Sequence, residues 1–321
     1  KDPDWQAVMR EPDRLDPEIR AHLEAENSFT AAIMAPEEAL QEKLIAEMKG
    51  RIKEQDASVP KPDGPYAYYR RFEAGGEHPL LCRKTADGCE ELLLDANAES
   101  QGRAFYKLAA FRHSPDHRRV AYAVDLKGSE FHEILVKDLA SGALLPDRIE
   151  QAQGDVVWAA DGKSFLYCLL DRNHRPCKVM LHRLGCDPAE DQMLYEEKDP
   201  GFFLGIDVTE SRRFLIISAH DHTTSEVRLI SALDPSEAPR LVAPREPGIE
   251  YEVTDQGGRL LILTNADGAV DFKIASAPIP EAGGSGARAD WQDYLPHQPG
   301  RYIIGLQLFK DHLVRAERQN G

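Results

Sequence analysis

The sequence contains no apolar run near the roughly 18 residues that a bilayer-crossing helix needs, so no membrane span is expected. It is short of base as well: 39 Lys and Arg stand against 55 Asp and Glu, a formal charge of -16. A surface that tracks phosphate needs clustered cations, which argues against nucleic acid or anionic lipid as a partner. Cysteine is scarce and odd in number, with five residues (Cys82, Cys89, Cys168, Cys177 and Cys186) and no CxxC pair. A disulfide framework or a zinc knuckle is therefore not expected, and mostly buried free thiols in a reducing compartment are. The stretch Lys1 to Arg10 is polar and lacks the apolar centre of a signal peptide. These features together predict a cytoplasmic protein.

Catalytic signatures are missing too. There is no GxSxG elbow, and the nearest string, Gly283-Gly284-Ser285-Gly286-Ala287, lacks the last glycine. HExxH is absent, because His132-Glu133 runs on into an apolar segment. The pair His220 and His222 brackets Asp221 without an evident third ligand, and His113 and His117 flank Pro115; both read as polar turns. Neither GxxxxGK[ST] nor GxGxxG occurs. No catalytic, cofactor-binding or metal-ligating residue is assigned, and no cofactor is expected.

What is present begins with a helical arm. Leu40, Leu44, Met48 and Ile52 recur every four residues behind Pro36, Glu37 and Glu38, which suit a helix start. An earlier helical stretch carries Ile19, Leu23, Phe29 and Ile33, with a break predicted near Asn27-Ser28. Ser58, Pro60, Pro62, Gly64 and Pro65 then mark a linker. The expected division is a helical extension over 1–56, a linker over 57–65 and a β domain over 66–321.

The β domain repeats one plan at a period of about 45 residues, the spacing of a four-stranded propeller blade. The apolar centres are Val120–Val124, Phe165–Leu169, Phe214–Ile217 and Leu260–Leu263. Turns precede them at Ser114-Pro115-Asp116, Ala160-Asp161-Gly162, Thr209-Glu210-Ser211 and Thr254-Asp255-Gln256-Gly257, and amphipathic strands follow them. A first unit spans Tyr66 to Asp95, where Tyr66, Tyr68, Tyr69 and Phe72 read as sheet packing, and a last one starts at Ile303. The tryptophans Trp5, Trp158 and Trp291 do not recur once per unit. The repeat stops at Asn320-Gly321 part-way through a sheet, so a longer parent chain is expected.

Several runs resemble the prolyl oligopeptidase family. They are Tyr68-Tyr69-Arg70-Arg71-Phe72, His78-Pro79 and Glu91 to Asn97, then Ser114-Pro115-Asp116-His117-Arg118-Arg119 and Gly128-Ser129-Glu130-Phe131. Leu23 to Asn27, Glu47 to Glu54, Ser58-Val59-Pro60 and Gly64-Pro65-Tyr66 are similar to its oligopeptidase B branch. The resemblance implies a mainly β fold, an incomplete seven-bladed β-propeller of four-stranded antiparallel blades behind an α-helical extension. It also implies a C-terminal α/β-hydrolase domain on the same polypeptide, carrying a Ser-Asp-His triad that cleaves short cationic peptides after Lys or Arg. No residue here matches the triad. The propeller would filter substrates for that domain. The alternative is a stand-alone, non-catalytic propeller that binds a protein or a small ligand.

Overall fold

A computed structural model describes residues 7–8 and 11–319. Most of the opening polar stretch, Trp5 and the Asn320-Gly321 terminus lie outside the described residues. The chain divides into two units, Lys1–Tyr106 with Leu126–Ser129, and Lys107–Asp125 with Glu130–Gly321.

In the first unit, helix α1 spans Pro17–Met34. Asp16 caps it, its Oδ1 accepting from the Glu18 amide at 2.8 Å, and Pro17 supplies a preset φ in the first turn. The break expected at Asn27-Ser28 does not occur. Instead the Ser28 hydroxyl folds back and donates to the Glu24 carbonyl at 2.8 Å, so the helix carries on. A short 3-10 turn at Ala35–Glu37, holding Pro36, separates α1 from α2 at Glu38–Gly50. Neither helix buries a residue, and the stripe of Ile19, Leu23, Phe29, Ile33, Leu44 and Met48 lies open.

The same unit holds a meander of β1 (Lys61–Asp63), β2 (Tyr66–Arg71), β3 (Leu80–Thr85) and β4 (Glu90–Asp95), followed by a one-turn helix, α3 (Ala96–Ser100). The proline-rich segment is extended, as its composition dictates, and it is also paired. Lys61 lies opposite Tyr68, and the Ser58 amide donates to the Arg70 carbonyl. Tyr69 is buried beside Leu80 and Cys82, while Tyr66 and Tyr68 meet edge to face at 6.2 Å.

The second unit repeats the meander. Its first sheet is β5 (Lys107–His113), β6 (Arg119–Asp125), β7 (His132–Asp138) and β8 (Leu144–Ala152). The next is β9 (Val157–Trp158), β10 (Ser164–Leu170), β11 (Pro176–Arg183) and β12 (Gln192–Glu196), linked to β8 through the pair Leu169 and Ala152. Then come β13 (Phe203–Val208), β14 (Phe214–His220), β15 (Ser225–Ser231) and β16 (Arg240–Leu241). The fourth sheet holds β17 (Tyr251–Gln256), β18 (Arg259–Thr264), β19 (Lys273–Pro278) and β20 (Gln292–Leu295). A hairpin of β21 (Arg301–Leu308) and β22 (Leu313–Gln319) ends the described residues. Sheet neighbours pair antiparallel throughout.

The centres of these sheets are apolar on consecutive residues for a physical reason. Side chains alternate between faces, and here both faces of a sheet are covered. Phe165 and Tyr167 of β10 pack with Ala121, Ile134 and Ile149 of the sheet before, whereas Leu166 and Cys168 pack with Leu204, Leu215 and Ile217 of the sheet after. β18 divides its residues likewise, Leu260 and Ile262 going one way and Leu261 and Leu263 the other. The core is thus a series of seams between successive sheets.

Turn geometry marks the repeat independently. His117, Gly162, Arg212 and Gly257 all adopt a left-handed backbone, with φ of 59°, 61°, 57° and 61°, at matching places after the first strand of each sheet. In the fourth sheet β17 runs through Gln256, so the reversal is Gly257-Gly258, later than the sequence placed it. Gly162→Ala is expected to cost about 1–2 kcal/mol, the left-handed penalty of a Cβ. The added carbon would also stand 3.3 Å from Asp116. An unchanged midpoint in urea would refute this.

Candidate functional site

The chemistry-bearing side chains gather at the seams of the second unit. At the seam of the β9–β12 and β13–β16 sheets, Arg245 reaches Glu197 at 2.6 Å and Glu226 at 3.2 Å, and its guanidinium lies 4.0 Å from the centre of the Phe202 ring. Arg228 holds Glu226 from the other side at 2.5 Å. Burial pushes the Glu226 carboxyl upward, but the hydrogen bond from Arg245 and the charge of Arg228 outweigh it and leave it below its ordinary value. Glu197 is lowered in the same way, burial losing to Arg245, the Asp199 amide and the Tyr195 hydroxyl. Burial, reinforced by Glu197, pushes Tyr195 up to about 12.

Phe203, beside Phe202, opens β13 on a partly exposed rim. Arg175 stacks on its ring at 4.3 Å and donates to the Phe202 carbonyl, while His220 and His222 lie 6.1 and 6.5 Å from it, centre to centre. Asp221 between the two histidines accepts from the backbone amides of Thr223 and Thr224, an arrangement that folds a turn. His113 and His117 stack on one another at 5.2 Å.

A cleft of about 500 Å³ lies where the β13–β16 and β17–β20 sheets meet the last hairpin, lined by Glu210, Ser211, Arg213, Asp255, Phe309 and Lys310. Asp255 is buried and accepts from the Ser211 hydroxyl at 2.5 Å and from Arg213 at 3.3 Å. A second cavity of about 350 Å³ is walled by Val242, Ile279, Pro280 and Trp291 under the 283–287 loop. Ser285 of that loop, the nearest approach to a nucleophile motif, donates its hydroxyl to the Gly286 carbonyl. The loop itself pairs with β16 through Leu241 and Ser285, covering an edge strand of two residues. The Arg245 cluster ties neighbouring sheets together.

The buried ion clusters follow no local motif, because each draws its members from different sheets. All five cysteines are free. Burial was expected for most of them, yet Cys89 and Cys186 are exposed because both sit in turns that close hairpins. Burial pushes the Cys168 thiol up to about 12. Among the described residues no helix is long and apolar enough to cross a membrane.

Residues 4–321 match the model of the prolyl oligopeptidase N-terminal beta-propeller domain. Dipeptidyl aminopeptidase BI of Pseudoxanthomonas mexicana is 36% identical across 97% of this chain and 45% of its own length. Protease 2 of Moraxella lacunata is 31% identical, covering 96% of this chain and 45% of its own. The structure of oligopeptidase B from Leishmania major superposes with a TM-score of 0.89 at 30% identity, over 98% of this chain and 44% of that one. The chain therefore spans about 45% of the length of the curated relatives it matches. With the repeated sheets and this collinear likeness together, the chain belongs to the prolyl oligopeptidase family, on its oligopeptidase B branch, and corresponds to the family's N-terminal propeller region.

Proposed function

We propose that this chain is the substrate filter of a serine peptidase that cleaves short peptides after Lys or Arg. The observation that supports the reading is the match of nearly the whole chain to less than half of each peptidase relative. The chemistry then belongs to an α/β-hydrolase domain on the same polypeptide, with serine attack, histidine as base and an oxyanion hole. The propeller, 66–321, excludes folded proteins and water from the cleft. The extension, 1–56, covers the hydrolase domain with the open stripe of α1 and α2, which otherwise leaves Phe29 and Ile33 more than half exposed. A net charge of -16 raises the local concentration of cationic peptides. The five free thiols support a cytoplasmic setting.

One observation favours a second reading of the same site. The relative with 36% identity is named a dipeptidyl aminopeptidase, so release of dipeptides from a free N-terminus is the competing specificity.

The test is expression of the gene to its natural stop codon, beside the 321-residue chain. The full product is expected to hydrolyse blocked Arg-amide substrates, and the chain alone to hydrolyse none. The full product's kcat/KM should fall more steeply with salt for cationic than for neutral peptides. Activity only on unblocked dipeptidyl amides would establish the second reading. A stop codon directly after Gly321, or turnover by the pure chain, would overturn the filter assignment.

A further inference from the structure

At the seam between the β5–β8 and β9–β12 sheets, the fully buried His182 of β11 sits between two carboxylates from different sheets. Its Nε2 lies 3.0 Å from Asp147 Oδ1 on β8, and its Nδ1 lies 2.8 Å from Asp191 Oδ1 in the turn before β12. The Tyr167 hydroxyl on β10 donates to the other Asp191 oxygen at 2.8 Å, and the Gly185 amide donates to Asp147 at 2.5 Å. The Phe165 ring covers the imidazole at 5.2 Å. The side chains of both aspartates are no more than 2% exposed, so bulk solvent does not reach this network.

An ionised carboxylate only accepts hydrogen bonds. When both carboxylates are ionised, the imidazole donates from both nitrogens, which is the charged form. Between two ionised carboxylates a neutral ring would turn one lone pair toward an oxygen lone pair in a buried site. We propose that His182 is a protonated clip joining the second unit's first two sheets, and that losing its proton under alkaline conditions releases that seam.

The groups acting on the ring are Asp191 and Asp147, with Tyr167 reaching it through Asp191. Burial drives the imidazolium toward deprotonation, but the two carboxylates outweigh burial and hold the proton above the ordinary histidine range. The direction of the pH effect follows. Below the unfolded pKa of about 6.5, folded and unfolded chains both carry the proton and the clip contributes fully. Above it, the folded chain holds a proton that the unfolded chain lacks. The unfolding constant then rises up to about tenfold per pH unit, until the folded pKa is passed and the contribution is gone.

The experiment is a ring-¹⁵N spectrum of the 321-residue chain with labelled histidine, followed from pH 6 to 10, beside unfolding of the chain and of His182→Gln. Two protonated nitrogens at His182 are expected at pH values where exposed histidines are neutral, with a pH-dependent loss of stability that His182→Gln lacks. Asp147→Asn should move the ring titration downward. Hydrogen exchange in β8 should rise with that titration beyond its intrinsic base dependence. A neutral tautomer at pH 7, or the same slope in His182→Gln, would overturn the clip. If His182→Gln does not fold, the spectrum of the unsubstituted chain decides alone.

Discussion

Arg245→Met is expected to lower the unfolding free energy by about 3 kcal/mol, the low end of the range for removing one partner of a buried ion pair. Glu197 and Glu226 are 6% and 7% exposed at their side chains, so neither is rehydrated when the cation leaves. Arg228 remains on Glu226, which keeps the loss from reaching the upper end. Methionine retains a flexible apolar chain over the Phe202 ring, so the packing part of the change is small.

The pH dependence separates this explanation from plain loss of contact. Both carboxyls sit below their ordinary range, so their stabilisation is complete above about pH 4.3 and is lost as the pH falls through the folded values. Arg245→Met reverses the sign, because protonating a stranded carboxylate relieves it. The gap between the two proteins, read from urea midpoints, should narrow as the pH falls toward 4 and close only below the lowered folded values. Adding Glu226→Gln to Arg245→Met should cost less than the sum of the single changes, since the pair is coupled. A gap below about 1 kcal/mol that does not vary with pH would show that solvent already reaches the carboxylates.

The contrast between sheets and seams explains how much the sequence disclosed. The centres Val120–Val124, Phe165–Leu169, Phe214–Ile217 and Leu260–Leu263 fall inside β6, β10, β14 and β18, because a strand covered on both faces needs apolar residues on successive positions. Turns at Pro115 and Gly162 were legible from local chemistry as well. The helix through Asn27-Ser28 was not, because a serine hydroxyl satisfied by the preceding turn looks the same in sequence as one that ends a helix. Nor did the proline-rich segment reveal that its extended backbone pairs with β2.

The ion clusters lay beyond local reading for a different reason. Asp147 and His182 are 35 residues apart, and Glu197 and Arg245 are 48 apart. Each pair therefore belongs to neighbouring repeats and meets only once the sheets stack. A lone His182 at the end of an apolar strand carries no spacing rule. The one usable hint is the repeat itself, since residues about one period apart in a stack of like sheets become neighbours.

That stacking makes Phe165→Ala the second large effect. The ring is fully buried in the seam of the first two sheets of the second unit, 5.2 Å from Trp158 edge to face and 6.4 Å from Tyr167. Its loss is expected to cost about 3–5 kcal/mol, from the transfer of the ring and the cavity left behind. Collapse is hindered because the neighbours are held by their own bonds: the Trp158 indole donates to the Arg112 carbonyl and Tyr167 donates to Asp191. Phe165→Leu keeps most of the volume and should cost under about 1.5 kcal/mol. Because successive sheets share one core strand by strand, the damage should first appear in hydrogen exchange of β8 and β10. β18, two seams further on, should be protected until global unfolding. Equal loss of protection in β18 would mean that the second unit unfolds as one cooperative body, and that the seams are not separable steps in its stability.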